Sequence, residues 1–403
     1  MRRVAITGVG CICGLGHDLP SVWREAVAGR SSIREVTRVD PALLLAKNAA
    51  EVRDFDPEKI FDGKLLTMLD RASQFALVAA QEALTMAGLE NSKPLGETCA
   101  VILGSGVGGM NTLDESFKKL YAEKLTRVHP FTIPKLMVNA PASQVTMRYG
   151  VTGPAYAIAS ACSSANHAIG TAAWMVRQGT VDMAITGGTE AVITLGTMKG
   201  WEALRVVASD TCRPFSANRR GMVLGEGAGV FVIETFESAR KRGAPILAEI
   251  AGFGMSSDAG DLVAPSADGA ARAIRGALRD GGLNPEDIDY VNAHGTGTPA
   301  NDPTETKALK LAFGDLASKL AISSTKAVHG HALGAAGALE LAITVAAMRD
   351  GVVPPTANFL GPDPACDLDY VPNTARERPI RAALSNSFAF GGLNAVIAVK
   401  RAD

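Results

Sequence analysis

The run Ala161-Cys162-Ser163-Ser164-Ala165 constrains the fold more than any other segment, because of what flanks it. Upstream, residues 156–160 (YAIAS) read as a short buried strand. Downstream, residues 164–178 (SANHAIGTAAWMVRQ) carry Ala, Ile and Trp at helical spacing and read as a helix. Cys162 therefore falls on a sharp strand-to-helix turn, beside the unpaired N–H groups and positive end of a helix dipole. That location favours thiolate over thiol. A cysteine among small residues is ordinarily a buried filler. Two downstream segments change that reading. His294-Gly295-Thr296-Gly297-Thr298-Pro299 and Lys326-Ala327-Val328-His329-Gly330-His331 add two imidazoles and an ammonium to the nucleophile.

A chain of 403 residues is long for one hydrophobic core, so two core units are expected. Apolar residues make up 47% and aromatic residues only 5%, so Ala, Val, Leu and Ile must fill the interior beside abundant Gly. That mixture suits layered α/β structure. A net charge of −1 argues against nucleic acid or an anionic membrane as the main partner. The six cysteines lack metal-finger spacing and are too sparse for a disulfide scaffold; Cys11 and Cys13 read as small fillers at a strand end. The start, Met1-Arg2-Arg3 then VAITGVG, has an apolar stretch too short and Gly-broken for a signal peptide. The longest apolar run, 332–348, contains Glu340, so no membrane span is expected. A soluble protein of the reducing cytoplasm is the expectation.

The charged run 237–245 (ESARKRGAP) is the best internal boundary and suggests halves of 1–243 and 244–403. Strands are predicted at 3–8, 99–103, 156–160 and 181–185 in the first half. In the second they fall at 246–250, 290–293, 321–324, 382–386 and 395–400. The two sides look like variants of one α/β unit, although their identity is too low to call a repeat. Functional loops of such folds lie beyond the carboxyl ends of parallel strands. Cys162, His294, Lys326 and the loop Ser387-Phe388-Ala389-Phe390-Gly391-Gly392 each follow a predicted strand.

With these residues in order, the sequence resembles the β-ketoacyl-acyl carrier protein synthases of the elongating type II kind. The likeness runs from Val4-Ala5-Ile6-Thr7-Gly8 through Leu224-Gly225-Glu226-Gly227-Ala228-Gly229 to Phe390-Gly391-Gly392. The resemblance implies a thiolase-like, five-layered αβαβα fold of two fused pseudo-symmetric halves. It also implies a homodimer, or a heterodimer with a related subunit, and acyl carrier protein as partner. The implied reaction is ping-pong: an acyl group moves to Cys162, malonyl-carrier protein loses carbon dioxide, and its enolate attacks the thioester. No metal or redox cofactor is implied, since the substrates ride on the carrier's phosphopantetheine. The product would enter fatty acid or specialised polyene synthesis.

Chemistry accounts for the residue types. Cys162 is a good nucleophile and a good leaving group. His294 and His331, the latter opening an alanine-rich helix, can donate N–H bonds to the developing oxyanion, each commonly worth about 3–4 kcal/mol. Lys326 would hold the charge balance with Glu340 on the following helix. Backbone N–H groups of Cys162 and Phe390 are the implied oxyanion hole, and Phe390, before two glycines, suits a gate, with Phe388 beside it. By resemblance Thr296 and Thr298 bind the phosphopantetheine arm, Val107 limits acyl length, Thr132 reaches into a partner's pocket and Trp201 lines the tunnel. Lys64, Lys124, Arg127 and Arg213 are candidates for an acidic carrier. His167 and His329 match no catalytic position and read as structural.

Several positions depart from the housekeeping pattern: His329 in place of Thr, Ala389 in place of Gly, Gly260-Asp261 in a second gating loop, Thr67 and Met68 at docking positions, and the small Thr132. Segments 163–167, 201–205 and 296–302 are closer to nodulation-type and polyene-type synthases. Other members of the superfamily fit less well. A non-catalytic chain-length-factor-like subunit lacks the reactive Cys. A degradative thiolase needs a second Cys near the C-terminus, and an initiating synthase carries His and Asn where this chain has two His.

Overall fold

A computed structural model describes residues 2–402. Ten strands carry the architecture: β1 Val4–Cys13, β2 Cys99–Gly104, β3 Ala155–Ile158, β4 Met183–Glu190, β5 Gly227–Thr235, β6 Ala248–Ser257, β7 Tyr290–Asn292, β8 Ala321–Ser323, β9 Ala382–Ala389 and β10 Leu393–Lys400. In the first half they lie side by side as β1-β5-β4-β2-β3, and in the second as β6-β10-β9-β7-β8. Each half thus arranges its strands as first, fifth, fourth, second, third. The directions repeat too: the first two neighbouring pairs are antiparallel and the last two parallel. The halves meet at one edge, where Ala5 pairs with Glu249 and Ile6 with Ala248.

Helices complete the layers. We label them α1 Arg71–Met86, α2 Ser164–Gln178, α3 Leu195–Ala203, α4 Ala267–Gly281, α5 Asn301–Phe313, α6 Lys326–His329 and α7 Ala336–Asp350. α1 packs on β1 and β5 outside one sheet, and α4 on β6 and β10 outside the other. Between the sheets lie α2 and α7, which touch each other and strands of both halves. Every residue of α7 from Ala336 to Met348 is buried, as a helix hydrophobic on all sides requires. Small alanines let both backbones approach, while Leu339, Leu341, Ile343 and Val345 contribute roughly 1.5–3 kcal/mol each by burial. Both central helices end on a left-handed glycine, Gly179 and Gly351.

Three expectations need correction. The strand predicted as buried at 156–160 is β3, whose residues are exposed or half-buried, with Tyr156 40% exposed. It is the last strand of its sheet, so one edge is unpaired. The fully buried β5 was missed, because its start is glycine-rich. There the backbone of α7 comes so close that a Cβ at Gly229 would lie 2.7 Å from the Ala338 carbonyl carbon. β9 also runs three residues past its predicted end, so Phe388 and Ala389 lie in the strand and Phe390 in the hairpin turn to β10. Cys11 and Cys13 are buried at the end of β1, as expected.

Candidate active site

Four strand ends deliver the candidate residues to one place. Cys162 follows β3, and the turn before it puts Ala161 at φ 50°, a left-handed conformation costing a non-glycine residue roughly 1–2 kcal/mol. Serines hold that turn. The Ser164 hydroxyl accepts from the Ser160 N–H at 2.9 Å and donates to the Ala161 carbonyl at 2.6 Å. The Ser163 hydroxyl reaches the Ser387 and Leu393 carbonyls at 3.0 and 2.7 Å, tying the turn to both strands of the β9–β10 hairpin. The predicted preference for thiolate meets a stronger opposing effect. Burial pushes the Cys162 thiol up to about 12; Lys326 pulls it down, and Glu190 and Glu340 push it up. Lys326, a backbone hydrogen bond at Cys162 itself and the helix terminus favour the anion, but they act on a thiol that is 7% exposed.

His294 follows β7. Its N–H and that of Gly295 donate to Glu305 of α5 at 2.9 and 2.8 Å, and Asn386 of β9 donates to the same carboxylate at 3.1 Å. Asp302 likewise accepts from the Gly297 N–H at 3.2 Å and the Phe215 N–H at 2.7 Å. The Gly-Thr-Gly-Thr loop is therefore pinned by two buried carboxylates that sequence reading missed. Their signal was their place in the helix just after the loop, where N–H donors of the loop can reach back to them.

Lys326 and Glu340 are fully buried behind the imidazoles and form an ion pair. Burial pushes the Glu340 carboxyl up to about 7 against the pull of Lys326. The Lys326 ammonium also stands 3.4 Å from His294 Nδ1. His331 does not open the long helix as expected. It pairs with Leu224 in a β-bridge and precedes a turn at Leu333, so α7 begins only at Ala336. The Leu333 N–H donates to His331 Nδ1 at 3.2 Å.

These contacts fix both tautomers. An ammonium and an amide N–H can only donate, so Nδ1 of each ring is an acceptor and Nε2 carries the hydrogen. Burial first, then Lys326, depresses the pKa of both rings well below the ordinary histidine value. Two neutral imidazoles, with ring centroids 5.5 Å apart and planes at 84°, each offer one N–H donor.

A cavity of about 300 Å³ joins Cys162, His294, His331, Thr296, Thr298, Trp201, Phe388 and Phe390. The Thr296 and Thr298 hydroxyls bond each other at 2.9 Å. Trp201, on α3, stacks on Phe390 with centroids 5.8 Å apart. The hairpin turn is bonded to a second loop through Gly391 N–H to the Leu262 carbonyl, 2.7 Å, and Asp258 N–H to the Gly392 carbonyl, 3.0 Å.

Two sequence-predicted pocket residues do not line this cavity. Val107 is 40% exposed, and Thr132 is buried with its hydroxyl donating to the His129 carbonyl at 2.7 Å. Both belong to a stretch whose apolar side chains face outward in the single chain. Of the docking candidates, Lys64, Lys124 and Arg127 are exposed, whereas Arg213 is half-buried and paired with Asp210 at 2.7 Å. His167 bonds Ser160 at 2.8 Å, and His329 is buried against Thr325 at 3.0 Å, so both make structural contacts.

Family models match on both sides of the predicted boundary: the N-terminal domain of β-ketoacyl synthase over residues 1–239 and its C-terminal domain over 247–360. The chain belongs to the β-ketoacyl synthase family. It is an acyl-transferring synthase with the thiolase-like fold. Nodulation protein E of Rhizobium sp. (strain N33) is 48% identical over 400 residues, which span 99% of each protein. The 3-oxoacyl-[acyl-carrier-protein] synthase 2 of Coxiella burnetii is 43% identical over 408 residues, again 99% of each. Among solved structures, the ishigamide ketosynthase/chain length factor is 34% identical, covers 100% of both chains and superposes with a TM-score of 0.96. Among the described residues no helix is long and apolar enough to cross a membrane.

Proposed function

We propose that this synthase carries out a decarboxylative Claisen condensation between an acyl group on Cys162 and malonyl-carrier protein. The observation that carries the reading is the pair of neutral Nε2–H donors, His294 and His331, sharing one cavity with the Cys162 thiol. The thiol displaces the carrier's thiol from an acyl thioester. As malonyl loses carbon dioxide, the electrons of the broken C–C bond move onto the thioester oxygen, where two imidazole donors hold them. The resulting carbon nucleophile attacks the Cys162 thioester, the C–S bond breaks, and the thiol regains a proton from solvent. The N–H groups of Cys162 and Phe390 serve as the oxyanion hole. Lys326 and Glu340 hold the imidazoles in place without themselves touching substrate. No resident metal or redox group is needed, since loss of carbon dioxide drives the step.

In this reading Thr296 and Thr298 receive the phosphopantetheine arm, Trp201 and Phe388 flank the acyl chain, and Phe390 gates it. The nucleophile belongs to half 1–243 and the imidazoles to half 244–403. Acyl carrier protein is the partner, as the names of the synthase 2 relatives suggest, and a cytoplasmic site of action fits that partner. A second subunit covers the exposed apolar residues Phe117, Tyr121, Phe131, Ile133 and Tyr156, the last of them on the open edge strand β3. The identity to nodulation protein E, with the altered gate and docking residues, favours a specialised acyl chain on a dedicated carrier. A chain-length-factor role fits less well, because Cys162, both imidazoles and Lys326 are all in place.

Intact-protein mass spectrometry after mixing with acyl-carrier proteins of graded length, followed by malonyl-carrier protein, tests the reading. An acyl adduct present in wild type, absent in Cys162→Ala and cleared by the chase with release of a β-ketoacyl product is the expected result. No adduct with any carrier would shift the assignment to a non-catalytic subunit.

A further inference from the structure

We propose that Glu190 is a positioning residue that fixes His331 as an Nε2–H donor and locks its turn to the loop carrying Val107. The proposal rests on the synthase reading above for its consequence in catalysis, and on geometry alone for the positioning itself.

Glu190 ends β4, is fully buried and lies outside the cavity lining. Four donors converge on its carboxylate: the Ser105 hydroxyl at 3.0 Å and the N–H groups of Gly106 at 2.6 Å, Val107 at 3.3 Å and Gly334 at 2.9 Å. The Ser105 oxygen also accepts from the Gly108 N–H at 3.1 Å while its own hydrogen is donated to Glu190. Each of these contacts presents a hydrogen. The pocket is therefore shaped for two acceptor oxygens, and a side-chain amide would turn its NH₂ into another donor. Burial works the other way, pushing the carboxyl up to about 7 against these bonds.

The route to His331 is short. The Leu333 N–H sets the His331 tautomer, and Leu333 itself is a non-glycine residue at φ 43°. Such a conformation persists only where its surroundings hold it. The next N–H along the chain, that of Gly334, is the one Glu190 takes. A Cβ at Gly334 would lie 2.3 Å from the Gly106 nitrogen and 2.6 Å from the Glu190 carboxylate, so the two loops touch with no room for a side chain. One carboxylate thus joins the loop after β2, in the first half, to the His331 turn in the second.

The experiment is Glu190→Gln in the full chain, which keeps the shape and reverses one acceptor. Three quantities are read: the ¹⁵N-histidine spectrum of His331, the rate of malonyl-carrier decarboxylation, and the rate of acyl transfer to Cys162. We expect the His331 Nδ1 signal to lose its acceptor character. Decarboxylation should fall at least about tenfold while acyl transfer does not fall, since removing the Glu190 charge can only ease ionisation of the Cys162 thiol. An unchanged tautomer with an unchanged ratio of the two rates overturns the proposal. Should Glu190→Gln fail to fold, Ser105→Ala removes one donor and leaves the carboxylate. It should shift the same ratio in the same direction by about twofold, and no shift in ratio or tautomer is again a refutation. A wild-type protein that never acylates Cys162 would sink the synthase reading instead, while the tautomer still tests the positioning.

Discussion

The loops that precede the two central helices occupy equivalent places in the repeated halves, yet they do different chemistry. In the first half five residues link β3 to α2, and Cys162 sits on the strained turn among them. In the second half the link from β8 to α7 is longer and holds α6, with Lys326, and the bridge that presents His331. A short link aims one atom at a helix terminus. A long link can bury an ion pair and set an imidazole in front of it. Because α2 and α7 pack side by side, both links open into one cavity. Duplication of a fold here supplies two converging loop positions, and their lengths decide which chemistry each can hold.

If the short link carries only the nucleophile, Cys162→Ala should remove acyl-enzyme formation and lower condensation by at least about 10³-fold. Decarboxylation of malonyl-carrier protein should survive, as trapped carbon dioxide would report. Loss of both activities would mean that the division of labour between the links is wrong. Conversely, His331→Ala or His294→Ala should cut decarboxylation by about 10²–10³-fold and leave the Cys162 acyl adduct visible by mass spectrometry.

Lys326→Met strands the Glu340 carboxylate in a fully buried site. A stability loss of about 3–5 kcal/mol is expected in urea titration. The double change Lys326→Met with Glu340→Leu should recover most of it, because an apolar pair no longer leaves a lone charge. Equal loss in both variants would show that packing of the long link matters more than charge.

The smallest effects concern pH. The depressed imidazoles stay neutral as solution becomes mildly acidic, so they contribute no step to decarboxylation between about pH 8 and about pH 6; a step near pH 7 would report Glu340 or Glu190, whose carboxyls burial pushes up to about 7. Alkylation of Cys162 by iodoacetamide should still be rising at about pH 9, since its thiol is pushed up to about 12. A plateau near neutrality would mean that the helix terminus outweighs burial after all.

Much of this was legible in the chain. Cys162, His294 and Lys326 follow strands that were recognisable from short apolar runs bounded by glycine and polar residues, and the helix after Cys162 showed its period. Less legible were features that depend on contact between distant segments. β5 was hidden because its glycines answer to the backbone of α7. Glu190, Asp302 and Glu305 went unnoticed because a carboxylate in the sequence gives no sign of which N–H groups will surround it. Val107 and Thr132 carried only a resemblance, and neither lines the cavity of the single chain.

Sequence alone determined the reactive groups, their order and the α/β class, because side-chain chemistry and local periodicity are properties of adjacent residues. The tertiary structure decided which nitrogen of each imidazole carries the hydrogen and how strongly the thiol resists ionising. It also decided that two half-chains share one cavity. Those properties arise from burial and from hydrogen bonds between residues far apart in the chain, and they exist only once the two sheets have closed over α2 and α7.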